Sequence, residues 1–218
     1  MTKFLALAVA GFVAVSVSQA SAASMTVTGN FGPTKTDFTG QAFSVPGFNT
    51  TLGTLTNVLV TLSASANVGG SVTNNATTAQ NFKVTTDTFV TVNSSTSSID
   101  GINVDLNSTQ TYAAVAGNGG TAAYGPYTPS ATSGNIAGTP LSAFTSGPIS
   151  LTASTQSATT ILGGGNNIST NITSTASGVL SVTYTYTVPP PASVPEPASM
   201  ALLGMGLAGL GLIRRRRA

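Results

Sequence analysis

Acid–base or metal chemistry in this chain has few residues to draw on. The carboxylates are Asp37, Asp87, Asp100, Asp105 and Glu196, and His and Cys are absent. Without a thiol or an imidazole there is no Ser-His-Asp triad, thiol nucleophile or zinc finger. A glycosidase needs two carboxyls on opposite sides of a bond, in a cleft often lined with aromatics. Four aspartates can supply a pair, but Trp is absent and the single Glu lies near the C-terminus. A Ser-Lys nucleophile would need Lys35 or Lys83, and Lys83 falls on the polar side of an alternating run. Asp100-Gly101-Ile102-Asn103-Val104-Asp105 spaces oxygen ligands at positions 1, 4 and 6. Calcium takes six to eight oxygens, usually more closely spaced, so a polar turn closing a hairpin is the preferred reading. No catalytic residue, cofactor or metal site is expected.

The elements that would position these residues read as strands. Val58, Val60, Leu62, Ala64 and Ala66 alternate with mostly polar residues. So do Phe82, Val84, Thr86, Thr88, Val90 and Val92, and again Leu180, Val182, Tyr184, Tyr186 and Val188. A period of two in β-branched and aromatic residues marks strands with one buried face. Gly69-Gly70, Asn74-Asn75 and Gly163 to Asn167 read as turns. Val45-Pro46-Gly47-Phe48-Asn49 reads as another, with Phe43 and Phe48 as core plugs. No stretch between Ser24 and Val188 shows a helical period, so an all-β, β-sandwich-like domain is predicted there. Thr109 to Pro148, with Tyr112, Tyr124 and Tyr127, reads as a long surface loop. Its tyrosines either stack on sugars or pack, and packing is preferred. Threonine-rich outer faces keep the surface neutral and leave edge strands with little charge to block pairing.

Charge and hydropathy concentrate at the two ends of the 218 residues, of which only 6% are charged. Lys3 and Arg214, Arg215, Arg216 and Arg217 hold five of the seven cations. Between them two lysines stand against five carboxylates, leaving −3. Nucleic-acid binding needs clustered cations and is excluded. Met1-Thr2-Lys3, the apolar run Phe4 to Val17 and the small residues up to Ala22 and Ala23 form a secretory signal, residues 1–23, with cleavage after either alanine. Residues 189–194 are a Pro-rich linker. Val194-Pro195-Glu196-Pro197 then leads into the uncharged run Ala198 to Ile213 and the four arginines. As a helix, 198–213 would cover about 24 Å of a ~30 Å hydrocarbon core, a gap that thinning and snorkelling can close. The arginines would remain cytoplasmic. An ordinary single-pass anchor is the competing reading.

Those last residues resemble the PEP-CTERM sorting signal of Gram-negative bacteria. The resemblance rests on Pro195-Glu196-Pro197, a short Gly-rich apolar helix and a terminal arginine cluster, in that order over residues 195–218. It implies processing by an exosortase in the inner membrane, with Val194, Pro195, Glu196 and Pro197 as the recognition segment and Arg214 to Arg217 as a stop. The prolines hold the motif extended, as a processing enzyme requires. Gly204, Gly206, Gly209 and Gly211 weaken the helix, which either eases processing or reflects the frequency of Gly in membrane helices.

A second resemblance covers the middle. Phe31-Gly32, Thr36-Asp37-Phe38, Phe43-Ser44-Val45-Pro46-Gly47-Phe48 and Leu52-Gly53-Thr54-Leu55 are similar to the exported choice-of-anchor E domain. The similarity continues through Asn74 to Phe82. That family implies a surface location and no assigned chemistry. Together these readings predict a non-enzymatic protein of the cell surface or matrix, structural or adhesive, with exopolysaccharide binding as the alternative and self-association open.

Overall fold

The structure, a computed structural model, describes residues 20–94, 99–190, 204–209 and 211. The chain forms two compact units, Ala22–Thr187 and a second built from Met1–Ser21 with Val188–Ala218. The strands are β1 (Ser21–Lys35), β2 (Gln41–Val45), β3 (Thr54–Asn74), β4 (Gln80–Ser94), β5 (Ile102–Val115), β6 (Gly120–Tyr127), β7 (Ser130–Thr132), β8 (Ile136–Ala137), β9 (Ile149–Gly163) and β10 (Ile168–Val188). One sheet runs β1-β10-β3-β6, with the short β7 and β8 also on β3. The other runs β2-β9-β4-β5.

Alternation builds the core. Val58, Val60, Leu62, Ala64 and Ala66 of β3, Phe82, Val84, Val90 and Val92 of β4, and Leu180, Val182 and Tyr184 of β10 are all buried in one apolar cluster shared by both sheets. Those are the inward positions that the period of two assigns. The domain is therefore all-β and has the two-layer arrangement of a sandwich. Inward Thr86 and Thr88 are buried as well. Their hydroxyls bond those of Thr159 and Ser157 on β9, at 3.3 and 3.1 Å. Each hydroxyl thus finds a cross-strand partner, which removes most of the cost of burying it.

Two expectations are corrected. Gly69-Gly70 is not a turn. Both residues lie inside β3, paired with Thr173 and Ile172 of β10, where the β3–β6 register slips between Val68 and Gly70. A Cβ on Gly70 would sit 2.0 Å from the Asn171 carbonyl oxygen. The glycine marks a bulge and a close strand approach rather than a chain reversal. The stretch Thr109 to Pro148 is not a long loop either. It holds the end of β5, then β6, β7, β8 and a 3-10 turn at Leu141–Phe144. β7 and β8 pair with β3 through only five residue pairs between them. Such short pieces leave no period to read. The other predicted turns, at Asn74-Asn75, Gly163 to Asn167 and Val45 to Asn49, do separate strands. Phe48 is buried and Phe43 packs partly buried against the core.

In the unit made of the two ends, residues 204–209 and 211 are helical. No helix among the described residues is long and apolar enough to cross a membrane. Residues 1–19 of the expected signal, most of the expected span 198–213, the motif Val194, Pro195, Glu196 and Pro197, and Arg214, Arg215, Arg216 and Arg217 lie outside the described residues.

Candidate functional site

The four aspartates of the domain separate into different structural tasks. Asp37 follows β1 with φ of 66°. Its carboxylate accepts the Ser157 N–H at 2.7 Å, and its own N–H donates to Thr155 Oγ1 at 3.0 Å. Thr155 N–H donates to the Phe38 carbonyl at 2.9 Å. β2 pairs with β9 only as far as Ala153, so Asp37 and its neighbours continue the edge where the strand has ended. Asp87 on β4 accepts a hydrogen bond from the side-chain amide of Asn107 on β5. Asp100 lies in the turn before β5, and Asp105 lies within that strand. The 100–105 segment is thus two turn residues followed by four of extended strand, which spreads its oxygens instead of gathering them. No group of three His, Cys, Asp or Glu side chains that could hold a metal occurs among the described residues.

Tyr112, Tyr124 and Tyr127 form no exposed platform. Tyr124 is 1% exposed and Tyr112 7%. The Tyr112 hydroxyl on β5 donates to the Ala123 carbonyl on β6 at 2.8 Å. In the other direction Tyr124 on β6 donates to the Ser108 carbonyl on β5 at 2.8 Å. β5 and β6 belong to opposite sheets, so these phenols tie the layers together. Tyr127 packs edge-on against Tyr124 and bonds the Gln110 amide oxygen. Tyr184 makes a fourth tie, donating to the Pro46 carbonyl at 2.9 Å. Burial, together with the nearby Tyr127 and Tyr124 phenols, pushes the Tyr112 hydroxyl up to about 12. Burial alone takes Tyr184 to about 12.

The exposed chemistry lies on the outer face of the four-stranded sheet. Here β4 presents Lys83, Thr85, Asp87, Phe89 and Thr91, the residues that alternate with its buried ones. Phe89 is 47% exposed. It stands between Gln156 of β9 and Asp105 of β5 in the strand register. Asp87 faces Asn107, so Asp87 and Asp105 are diagonal neighbours, roughly 7–8 Å apart by sheet geometry. A shallow groove of ≈ 540 Å³ beside Phe89 is bounded by Asp37, Thr91 and Gln156 among others. A second, of ≈ 280 Å³, follows the same β4–β9 seam past Asp87 to Lys83 and Leu162. The sequence contained a signal for this site: Phe89 is the aromatic residue that falls on the polar side of an otherwise regular alternation. Gln156 gave none, because its significance comes from pairing with Phe89 across a separation of 67 residues.

Comparison with known proteins bears on the other end of the chain. Residues 193–217 match the PEP-CTERM protein-sorting motif. The motif indicates an exported protein that is sorted through the membrane and processed by an exosortase. Glu196 and the arginines thus fall inside the matched segment. No curated protein matches the chain in sequence. Among solved structures, the infectious bursal disease virus Gt strain structure is 11% identical over 86% of this chain and 47% of its own, with a TM-score of 0.16. The chain spans about half the length of that viral protein. The virus-like particle of the extra small virus of the prawn Macrobrachium rosenbergii is 10% identical over 78% of this chain and 83% of its own, with a TM-score of 0.16. Similarity at this level carries no fold assignment.

At the other predicted processing site, Ala22 and Ala23 are the second and third residues of β1. Cleavage after either leaves the buried Phe31 and the rest of the strand in the mature chain.

Proposed function

We propose that the chain is a non-enzymatic exported protein whose sandwich is a structural or adhesive part of an extracellular polysaccharide matrix. The matched sorting motif at 193–217 carries this reading. A Gram-negative cell would first hold the precursor in its inner membrane, with Arg214 to Arg217 cytoplasmic by the positive-inside bias. Exosortase processing would then deliver it to the surface. The resemblance of the middle to choice-of-anchor E domains supports a surface location.

Three features of the sandwich support a structural role. The Asp87 carboxylate is engaged by the Asn107 amide, and the face it shares with Asp105 is an open sheet rather than the enclosing cleft in which a glycosidase sets two carboxyls about a bond. β3 has 21 residues and extends for roughly 70 Å. β1 runs antiparallel to β10, with Thr26 beside Thr183 and Thr36 beside Ser174, so the start of β1 and the end of β10 lie at one end of the sheet and the turns at 75–79 and 164–167 at the other. Such a domain spans distance rather than enclosing a substrate. The edge strand β5 carries Asp105 as its one charged residue, which leaves self-association open.

Intact-mass analysis of protein released from the native host tests the proposal. The expected mass lacks residues 1 to about 22 and most or all of the tail beyond about Pro195. A mass that retains Arg214 to Arg217 would reduce the tail to a plain anchor. The second reading, a carbohydrate-binding module that retains exopolysaccharide, is favoured by the exposure of Phe89 on a polar sheet face.

A further inference from the structure

We infer that the β4–β9 seam of the outer sheet face binds a linear, uncharged polysaccharide chain, with Phe89 as the stacking residue. The inference rests on the carbohydrate-binding reading and gives it a place and a ligand class. Phe89 lies near the middle of the β4–β9 pairing, and Gln156 opposite it, with Asp87 and Thr91 beside it on β4, are polar. An exposed aromatic ring on a flat sheet offers one apolar surface suited to the C–H face of a sugar ring. The side chains of Gln156, Thr91, Thr39 and Asp105 make no hydrogen bond or ion pair with other described residues, so their polar atoms remain available to sugar hydroxyls.

The shape suits a chain rather than a single sugar. Thr91 to Lys83 is eight residue steps along β4, roughly 27 Å. The groove of ≈ 280 Å³ lies on this seam, and that of ≈ 540 Å³ starts on it at Phe89 and Thr91 and crosses β9 to Asp37 and Thr39. The electrostatics select against an acidic glycan. Asp37 borders the first groove and Asp87 the second, while Asp105 stands opposite Phe89. Lys83 is the cation of the seam, six residues from Phe89 along β4 and three positions away on the same face. Carboxylates accept hydrogen bonds from neutral hydroxyls and repel uronates.

The test uses mature protein purified from the host medium and affinity electrophoresis through gels containing hydroxyethyl cellulose, galactomannan, dextran or alginate. Wild type is retarded by at least one of the three neutral polymers and not by alginate. Phe89→Ala weakens that binding by about fivefold to tenfold, the scale of one lost stacking contact, with an unchanged circular dichroism spectrum. Asp105→Asn keeps neutral binding and relaxes the exclusion of alginate. Undiminished retardation of Phe89→Ala overturns the seam while leaving carbohydrate binding in place elsewhere. Wild type retarded only by alginate overturns the ligand class. Failure with every polymer, together with no retention by the host's own matrix polysaccharide, overturns the inference and the reading beneath it. If sedimentation velocity shows an oligomer that Phe89→Ala dissolves, the face is an interface between copies and the inference falls.

Discussion

The sandwich and the sorting tail store their information differently. In Ala22–Thr187 the meaning of a residue depends on partners far away in sequence. Asp37 has its function because Ser157 presents an N–H to it, 120 residues on. Tyr124 has its function because Ser108 lies in the opposite sheet. In 193–217 the meaning lies in linear order: a Pro-bounded carboxylate, an apolar run, then arginines. The first kind of information is read by the chain itself as it folds. The second is read by another protein. The two carboxylate populations of the chain therefore cannot be judged by one rule. A burial and hydrogen-bond account decides what Asp37 and Asp87 do, whereas it has no bearing on Glu196.

If that division holds, damage to the sandwich costs stability and leaves the ratio of processed to unprocessed chain at its wild-type value. The largest effect is expected in the core. Leu180→Ala empties a fully buried site on the central strand β10 and should lower unfolding free energy by about 2–5 kcal/mol in urea titrations. Gly70→Ala places its Cβ against the Asn171 carbonyl oxygen. The strands must separate to admit it, at about 1–3 kcal/mol, the usual scale of overpacking. Tyr124→Phe removes the hydroxyl that bonds Ser108 and leaves a buried carbonyl short of a donor. The expected loss is about 1–2 kcal/mol.

The smallest effect concerns alkaline pH. Tyr112 and Tyr184 titrate near 12 in the folded chain, against 10.0 for an ordinary tyrosine. Between those values the unfolded chain binds fewer protons than the native one, so stability falls as pH rises. It is fully present below pH 10 and declines through the interval up to about 12. Spectrophotometric titration should show Tyr112 and Tyr184 ionising late, together with unfolding. Ionisation of these two phenols near 10 in the folded protein contradicts the buried ties.

Much of the fold was legible because the central strands are long and regular. Leu180, Val182 and Tyr184 of β10 and the inward residues of β4 follow a strict period of two, and every one is buried. Gly69-Gly70 misled because glycine pairs mark turns and bulges alike, and only the register against β6 and β10 separates the two. Residues 116–148 were not legible because β7 and β8 are too short to show a period and exist only by pairing with β3. The sorting motif was legible, since order along the chain is all that its match at 193–217 requires. The seam around Phe89 was half legible: its aromatic broke the alternation, but the groove beside it depends on strands that meet only after folding.

The central claim is that the tail is an address read by an exosortase, and Glu196→Ala in the native host tests it most directly. Glu196 lies between two prolines, beyond the last strand of the sandwich, so the variant should keep the wild-type unfolding curve. Immunoblots of membrane and medium fractions should show unprocessed precursor accumulating in the inner membrane, with its tail attached. Equal release of processed wild type and Glu196→Ala into the medium would contradict the account.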